Sequence, residues 1–234
     1  MENEIDVGLI RLIREKDKEY LSNSVKVESG LLTSLGLNNE FIHEYPSSLH
    51  GFCGVGLRSW QYPNQFSKYL VHLSKYKIES YMEVGVRHGG TFIITTEYLN
   101  KFHPIKKALA VDINPCPAVN QYRDKYNKSA EFWKINSQSF KFEGFCNHCN
   151  GIDLVMIDAD HADLCIRKDF ANVQKMAKII ALHDISNDAC SAVSKLWKEL
   201  KKDTNRYEVF EFVDQYPCFK GKNYFGTGVL VSKL

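Results

Sequence analysis

The sequence predicts an α/β fold, a three-layer sandwich in which helices cover both faces of a mostly parallel sheet. Short apolar runs alternate with helical patterns along most of the chain after residue 63. Two of these runs, at residues 108–111 and 154–157, are apolar without interruption, which is typical of parallel strands buried on both faces. The last two strand patterns have no helical pattern between them, so the sheet should close with an antiparallel pair.

The composition is that of a soluble globular protein, with 234 residues, 44% of them hydrophobic and 25% charged. A formal net charge of +2 gives no general electrostatic reason to expect binding to nucleic acid or to a membrane. No apolar run reaches the roughly 18 residues that a membrane-spanning helix requires. The acidic start at residues 1–6 lacks the basic and apolar regions of a signal peptide. We therefore expect a cytoplasmic protein.

The cysteines support the same expectation. There are seven, an odd number, which fits reduced thiols better than a disulfide framework. Cys146 and Cys149 form the only close pair, and no second pair of ligands stands at comparable spacing. A zinc site is therefore not expected, and the two residues are interpreted as loop thiols near the start of a strand.

Residues 1–63 are expected to form a helical and irregular N-terminal extension, and residues 64–234 the main domain. Apolar positions at helical spacing predict one amphipathic helix over residues 5–20. The stretch 22–63 is interrupted by glycines and prolines, and so long an irregular segment in a compact domain is often a lid or a substrate-facing element. We expect the extension to cover a pocket or to contact a second subunit of a homo-oligomer.

The end of this extension carries its most chemically capable side chains, Arg58, Trp60 and Gln61. Trp60 has two readings, a packing anchor or a substrate contact, and the sequence does not choose between them.

The main domain contains a regular series of patterns. Helices are predicted at 66–76, 91–102, 118–126, 162–177 and 189–202, and strands at 80–84, 108–112, 130–134, from 152, at 178–182, 207–213 and 226–232. These seven strands, the last two of which form the closing antiparallel pair, give the architecture stated above.

A glycine-bearing turn joins the first of these strands to a helix within residues 81–92. Gly85, Gly89 and Gly90 allow positive φ and a close approach of the backbone to a ligand. The free N–H groups and positive dipole end of the helix attract an anion, and Thr91 is the predicted cap. The turn therefore predicts a nucleotide-type pocket, although its spacing is neither the dinucleotide fingerprint nor the lysine-containing phosphate loop.

Asp112 ends the second predicted strand, 22 positions beyond Gly90. In nucleotide-binding α/β units an acidic residue about 20 positions past the glycine turn accepts hydrogen bonds from ribose hydroxyls. A helix cap is the other ordinary use of such a carboxylate, but the spacing favours the ribose.

Polar side chains follow two later strands at the points where the strands end. Asp158, Asp160 and His161 come after one strand, and His183 and Asp184 after the next. Ligands bind at the carboxyl ends of strands in open α/β sheets, so we expect these five side chains to converge there.

Residues 83–91, Glu-x-Gly-x-x-x-Gly-x-Thr, resemble the first motif of class I S-adenosylmethionine-dependent methyltransferases, especially the small catechol-type O-methyltransferases. Residues 60–63 (Trp-Gln-Tyr-Pro) and 182–185 (Leu-His-Asp-Ile) resemble a bacterial branch that includes macrolide-sugar O-methyltransferases and cephalosporin-hydroxylase-like proteins. The resemblance extends from about residue 61 to the end of the chain. It implies a Rossmann-like, seven-stranded, mostly parallel sheet with an antiparallel C-terminal strand.

The resemblance also implies S-adenosylmethionine as the methyl donor. Its methionine part would lie at the glycine turn, its ribose on Asp112, and its adenine beside Ile113 and the segment 136–138. The implied donor-binding residues are Glu83, Gly85, Val86, Arg87, Gly89, Thr91, Asp112, Ile113, Ser137, Gln138 and Asp158.

The implied reaction is O-methylation of a small hydroxylated molecule or a sugar, helped by a divalent cation or a basic side chain. Asp158 and Asp184 match the metal-binding carboxylates of the family and could share Mg²⁺. His183 stands where macrolide-sugar enzymes have an acidic residue, and Ile185 where catechol-type enzymes have Asn. Because imidazole suits softer metals, Mn²⁺ with His183 as a ligand, or no metal at all, are the alternatives.

The expected catalytic residues are His161, Asp158 and Asp160. His161 matches the general-base lysine of the family and could accept a proton near neutral pH. A histidine that only binds nearby backbone is the alternative.

Two other functions stay open. A cephalosporin-hydroxylase-like enzyme, or an inactive relative that binds the nucleoside as a regulatory ligand, would keep the fold without methyl transfer. An NAD-type oxidoreductase is less favoured, because Gly-x-Gly-x-x-Gly is missing and the sheet closes with a strand pair. Methylation of nucleic acid is disfavoured by the near-neutral charge and the absence of a basic or base-stacking module.

Overall fold

A seven-stranded sheet forms the centre of this computed structural model, which describes residues 5–149, 151–217 and 221–233. Its strands are β1 (Ser80–Val84), β2 (Lys107–Asp112), β3 (Ala130–Lys134), β4 (Ile152–Ile157), β5 (Ala177–Leu182), β6 (Tyr207–Phe212) and β7 (Thr227–Ser232). They lie in the order β3-β2-β1-β4-β5-β7-β6. Strands β1 to β5 pair in parallel, whereas β7 runs antiparallel to both β5 and β6. The predicted fold class is confirmed.

Helices cover both faces of the sheet. They are α1 (Arg11–Arg14), α2 (Lys18–Leu21), α3 (Ser24–Val27), α4 (Thr33–Leu35), α5 (Pro63–Leu73), α6 (Gly90–Asn100), α7 (Pro117–Lys125), α8 (Phe140–His148), α9 (Asp163–Val173) and α10 (Ser191–Leu200). A π-helical turn, Glu28–Leu32, joins α3 to α4, and 3₁₀ turns lie at Val7–Ile10, Ile42–Glu44 and Ser47–Phe52. Within the described residues, no helix is long and apolar enough to cross a membrane.

The core has two parts, one on each face of the sheet. Side chains alternate between faces along a strand, so Tyr81 packs with α5, α6 and α7, whereas its neighbour Met82 packs with α8, α9 and α10. The central strands β1, β2, β4 and β5 are apolar on both faces, which is why their sequences read as nearly continuous hydrophobic runs.

The N-terminal segment differs from the single helix predicted for residues 5–20. A 3₁₀ turn and α1 end at Arg14, and α2 starts afresh because the side chain of Asp17 accepts a hydrogen bond from the Tyr20 N–H. Ile10, Ile13 and Leu21 are buried in the same core as α5 and α6. A subunit contact by this segment would therefore have to use its outer face.

An ion pair between a partly exposed arginine and a buried glutamate fastens this segment to the main domain. The Nε and Nη2 atoms of Arg14 donate to the two carboxylate oxygens of Glu97 on α6, at 2.8 and 2.7 Å. The Tyr122 hydroxyl on α7 donates to Glu97 as well, at 2.7 Å. Glu97 is only 1% exposed, so three hydrogen bonds compensate for burying its charge.

Helix α8 is absent from the sequence predictions. Ser139 caps it by accepting a hydrogen bond from the Phe142 N–H. Phe142 and Cys146 bury one face of the helix in the core, and Cys149 is buried directly after its end. Both cysteines are free thiols; the interpretation as loop residues was wrong for Cys146, which lies in α8, whereas Cys149 lies in the connection between α8 and β4.

Candidate active site

A cavity of about 720 Å³ lies at the carboxyl ends of β1, β2, β4 and β5. This is the point where the strand order reverses on either side of β1, the place at which open α/β sheets bind ligands. Its volume is in the range of small-molecule and cofactor sites. The cavity is lined by all the predicted site residues except one: Glu83, Gly85, Val86, Arg87, Thr91, Asp112, Ile113, Ser137, Gln138, Asp158, Asp160, His161, His183 and Asp184.

Gly89 is the exception. It forms the N-cap of α6 with a φ of +87°, and a Cβ there would lie 2.9 Å from the Cys116 Sγ, away from the cavity. Thr91 was predicted as the cap, but it lies inside the first turn of α6 and its side chain caps nothing. A left-handed glycine can turn the chain sharply into the helix without a side-chain acceptor.

Gly85 and Gly90 are required by the packing of the backbone itself. A Cβ on Gly85, whose φ is +92°, would lie 2.1 Å from the carbonyl oxygen of Asp158, and one on Gly90 would lie 2.1 Å from that of Leu57. The glycine turn is therefore held tightly between the end of β4 and the segment before α5. Its glycines serve this close packing as well as any approach to a ligand.

Asp112 fixes the loops around the part of the cavity next to the glycine turn. Its Oδ2 accepts a hydrogen bond from the Arg87 N–H and its Oδ1 one from the Asn114 N–H, both at 2.8 Å. Each carboxylate oxygen retains a second lone pair, so a ribose hydroxyl could still bind. Ile113 lines the cavity beside it with 56% of its surface exposed, which leaves an apolar surface for a flat ring.

Ser137 and Gln138 are held by a buried aspartate. The Ser137 hydroxyl and the Gln138 amide donate to Asp169 on α9, at 3.2 and 2.8 Å. Burial raises the pKa of Asp169 to about 6, against the effect of these two hydrogen bonds, which lower it. The two side chains therefore have fixed orientations at the cavity wall.

Glu83 is a buried carboxyl on the floor of the cavity. It is 1% exposed and accepts a hydrogen bond from the Tyr81 hydroxyl. Burial raises the pKa of Glu83 to about 8, although the Tyr81 hydrogen bond opposes the shift. The carboxyl is therefore mostly protonated at neutral pH.

Two aspartates and two histidines converge at the ends of β4 and β5. His183 Nδ1 lies 3.1 Å from Asp158 Oδ1 and 3.6 Å from Asp184 Oδ2. His161 Nε2 lies 3.6 Å from Asp158 Oδ1 and 3.5 Å from Asp184 Oδ2. The ligand-capable atoms of Asp158, His183 and Asp184 all lie within 4.8 Å of one another. We call these four residues the Asp/His cluster.

The charges of the Asp/His cluster stabilise one another. Burial alone would lower the pKa of His161, but the nearby Asp158 and Asp184 carboxylates and the contact with Cys190 raise it to about 10. Burial would also lower the pKa of His183, but the charges of Asp158 and Asp184 raise it well above its usual value. The pKa values of both aspartates are lowered, chiefly by the His183 charge acting against burial. These shifts favour the charged form of both imidazoles and of both carboxylates in the cluster.

Asp160 does not join the cluster. Its side chain is exposed and accepts a hydrogen bond from the Ala162 N–H at 2.9 Å, directly before α9. It lines the cavity, but the prediction that all five strand-end residues converge was wrong in its case.

Two residues that sequence reasoning missed support the cluster. The Asn187 amide donates to Asp184 Oδ1 at 2.9 Å, and Cys190 Sγ lies 3.2 Å from His161 Nδ1. Asp184 itself has a φ of +60°, so the chain turns sharply and brings residues 187 and 190 back to the cluster. No motif marks these residues, because only this turn places them there.

The irregular segment 36–62 supplies another wall of the cavity. Trp60 stacks on Phe41, with ring centroids 5.4 Å apart, and its indole N–H donates to Glu44 at 3.1 Å. Trp60, Phe41 and Glu44 all line the cavity, so Trp60 both anchors packing and faces the site. Burial raises the pKa of Glu44.

A second contact ties this segment to the glycine turn. Glu40 accepts a hydrogen bond from Arg87 Nη2 at 2.8 Å and pairs with His88. The side chain of Arg87 therefore joins the two walls.

No family model matches this chain, and no curated protein matches it in sequence. Solved structures are similar to it in fold. TomG, an O-methyltransferase from Streptomyces achromogenes involved in tomaymycin synthesis and solved with S-adenosylmethionine, is 12% identical, with 97% of this chain and 96% of TomG covered and a TM-score of 0.55. An O-methyltransferase from Bacillus cereus, solved with S-adenosylhomocysteine, is 12% identical, with 93% of each chain covered and a TM-score of 0.53.

A third similar structure is MycE, a methyltransferase of the mycinamycin biosynthetic pathway solved with Mg and S-adenosylhomocysteine. It is 16% identical, with 74% of this chain but half of MycE covered, and a TM-score of 0.50. Together with the strand order, these similarities show that the chain has the class I S-adenosylmethionine-dependent methyltransferase fold. The fold inferred from the resemblance of residues 83–91 is confirmed.

Proposed function

We propose that this chain is an S-adenosylmethionine-dependent methyltransferase that methylates an oxygen of a small hydroxylated molecule or a sugar. One observation carries the proposal: a single cavity joins the glycine turn and Asp112 to the Asp/His cluster. A donor bound at the first would lie beside proton-accepting groups at the second. The proteins of similar fold named above include O-methyltransferases solved with the donor or its product.

The donor side of the cavity would bind each part of S-adenosylmethionine by a different interaction. The N-terminus of α6 presents backbone N–H groups and a positive dipole end to the methionine carboxylate. Asp112 would accept hydrogen bonds from the ribose hydroxyls, and Ile113 and Ser137 would lie at the adenine. The tight packing at Gly85 and Gly90 keeps this surface rigid, so little order has to be gained on binding.

Methyl transfer is an in-line displacement, in which an oxygen–carbon bond forms as the carbon–sulfur bond breaks and the acceptor hydroxyl gives up a proton. Asp158 and Asp184 can accept a hydrogen bond from that hydroxyl and orient it, but their lowered pKa values make them weak bases. His161 is protonated at neutral pH because its pKa is about 10, so it could act as the base only after losing its own proton. As an imidazolium it holds the two carboxylates in place.

Three residues, Asp158, His183 and Asp184, would hold a divalent metal ion. The fit is supported by their donor atoms, two carboxylate oxygens and an imidazole nitrogen that lie within 4.8 Å of one another. This mixed set suits Mn²⁺ or another transition metal better than Mg²⁺. A bound ion would lower the pKa of the acceptor hydroxyl.

The acceptor would lie between the Asp/His cluster and the wall formed by Phe41, Glu44 and Trp60. The stacked rings offer a flat apolar surface of the kind that binds an aromatic ring or the face of a sugar. Glu44 places a polar group at the same wall, which could receive a second hydroxyl of the acceptor. This arrangement supports a small polyhydroxylated or phenolic acceptor.

Calorimetric titration with S-adenosylhomocysteine and with NAD, with and without Mn²⁺ or Mg²⁺, tests the proposal. We expect S-adenosylhomocysteine to bind and NAD not to bind. Radiolabelled methyl transfer to a panel of catechols and sugars then tests turnover. Donor binding without turnover would favour the inactive relative, and binding of NAD alone would overturn the proposal.

A further inference from the structure

Arg58 is a buried cation without an acidic partner. The residue is 7% exposed and lines the cavity. Among the described residues, its guanidinium makes one hydrogen bond, from Nη2 to the neutral Asn39 Oδ1 at 2.8 Å, and no ion pair. Its Nε is buried without any partner. Burying a charge with so little compensation is unfavourable, so the arrangement calls for an anion.

The backbone holds Arg58 in this position against its own preference. Its φ is +54°, in the left-handed region that non-glycine residues rarely adopt. The neighbouring residues fix it there, because the Leu57 N–H donates to Leu35 O at 2.7 Å and the Ser59 N–H to Gly36 O at 3.0 Å. Strained conformations that the surroundings enforce are found most often at binding sites.

Arg58 belongs to the segment that contacts the start of α6. A Cβ on Gly90, the first residue of that helix, would lie 2.1 Å from Leu57 O and 2.9 Å from the Ser59 nitrogen. The helix has 11 residues, and no side chain caps its first N–H groups. The backbone that carries Arg58 therefore packs against the positive end of α6, and Arg58, Gly90 and Thr91 all line the cavity.

We propose that Arg58 and the N-terminus of α6 together bind a carboxylate or phosphate group of a molecule held in the cavity. Arginine suits this role because its planar fork can give two parallel hydrogen bonds to such a group. Two sources of the anion fit the position. One is the α-carboxylate of the methyl donor, and this version rests on the proposed function. The other is an acidic group on the acceptor.

The first arm of the test compares S-adenosylhomocysteine with its decarboxylated counterpart, which lacks only the carboxylate. Each compound is titrated calorimetrically into the wild-type protein and Arg58→Met, with Arg58→Lys as the charge-retaining variant and Arg123→Met as a surface control. If the donor supplies the anion, losing its carboxylate should weaken wild-type binding by at least about tenfold. Arg58→Met should lose most of that discrimination, Arg58→Lys should recover part of it, and Arg123→Met should match the wild type.

The second arm titrates inorganic phosphate into each protein, alone and saturated with S-adenosylhomocysteine. If the acceptor supplies the anion, the saturated wild-type protein should bind phosphate and saturated Arg58→Met should not, while both discriminate equally between the two nucleosides. The proposal is overturned if Arg58→Met keeps both the nucleoside discrimination and the phosphate binding of the wild type. Failure of the wild type to bind S-adenosylhomocysteine would refute the proposed function, whereas phosphate binding to the protein alone would still test Arg58.

Discussion

His183 Nδ1 lies 3.1 Å from Asp158 Oδ1 and thereby joins the ends of the adjacent strands β5 and β4. The carboxylates of Asp158 and Asp184 have oxygens within 4.8 Å of each other and would repel unless a cation stood between them. In the Asp/His cluster the two imidazolium ions meet that need. A bound metal ion could supply this positive charge instead. His183 would then have to lose a proton before its nitrogen could bind the ion.

The first prediction concerns the binding of a divalent metal ion by the Asp/His cluster. Mn²⁺ should bind more tightly than Mg²⁺, because His183 contributes a nitrogen ligand. Asp184→Asn should lose metal binding and keep its affinity for S-adenosylhomocysteine, because the glycine turn and Asp112 do not depend on Asp184. Calorimetric titration of each ion and of S-adenosylhomocysteine measures both effects.

Asp160→Asn is the matched control for the metal prediction, since Asp160 also follows β4 but lies outside the cluster. It should bind Mn²⁺ as the wild type does. Equal loss of metal in both variants, or a preference for Mg²⁺, would contradict the ligand set proposed here.

The second prediction concerns the ribose contact. Asp112→Ala removes a carboxylate that would make charge-assisted hydrogen bonds to the donor and that already accepts from the Arg87 and Asn114 N–H groups. Affinity for S-adenosylhomocysteine should fall by about 2–5 kcal/mol. Asp124→Ala, which removes an exposed carboxylate on α7, should leave the affinity unchanged. Wild-type affinity in the Asp112 variant would remove the central argument for this donor site.

The third prediction compares two glycines. Gly85→Ala should lower the melting temperature strongly, because the new Cβ would lie 2.1 Å from Asp158 O in a backbone with a φ of +92°. Backbone strain at such a site costs about 1–3 kcal/mol, and displacing the Asp158 carbonyl adds to that cost. Gly144→Ala should raise stability by about 0.5–1 kcal/mol, because Gly144 lies in α8 with nothing within 4 Å of the added Cβ. Scanning calorimetry measures both, and a mild effect at Gly85 would show that the turn can relax.

Much of the fold could be predicted from the sequence because the central strands report their own burial. Strands such as β2 and β4 are covered on both faces, and their apolar runs gave their positions to within a residue. The Asp/His cluster could be predicted because the strand positions were known. The ends of parallel strands meet at one edge, which brings Asp158 and His161 after β4 close to His183 and Asp184 after β5.

The failures have physical causes that local patterns do not carry. Helix α8 has weak periodicity and contains Gly144, and tertiary packing of Phe142 stabilises it. The break before α2 depends on one capping aspartate inside an otherwise continuous apolar pattern. Cys190 reaches the cavity only through the left-handed turn at Asp184. A sequence shows the side chain but not the turn that aims it.

The last prediction concerns pH and the buried carboxyl of Glu83. The pKa of Glu83 is raised from its usual 4.5 to about 8 in the folded protein. The resulting contribution to stability is therefore fully present below pH 4.5 and is lost as pH rises through about 8. Between these values Glu83 is ionised in the unfolded chain but protonated in the folded protein. This difference should lower the free energy of unfolding by up to about 1.4 kcal/mol for each unit of rising pH.

Glu83→Gln should remove that slope, because the amide keeps the shape of the side chain and cannot ionise. Urea unfolding of the wild type and the variant at intervals from pH 5.5 to 9 measures it. Glu208→Gln, a change at an exposed position on β6, should follow the wild-type curve. Parallel curves for the wild type and Glu83→Gln would mean that Glu83 is already ionised across this range, and that the cavity floor carries a negative charge at neutral pH.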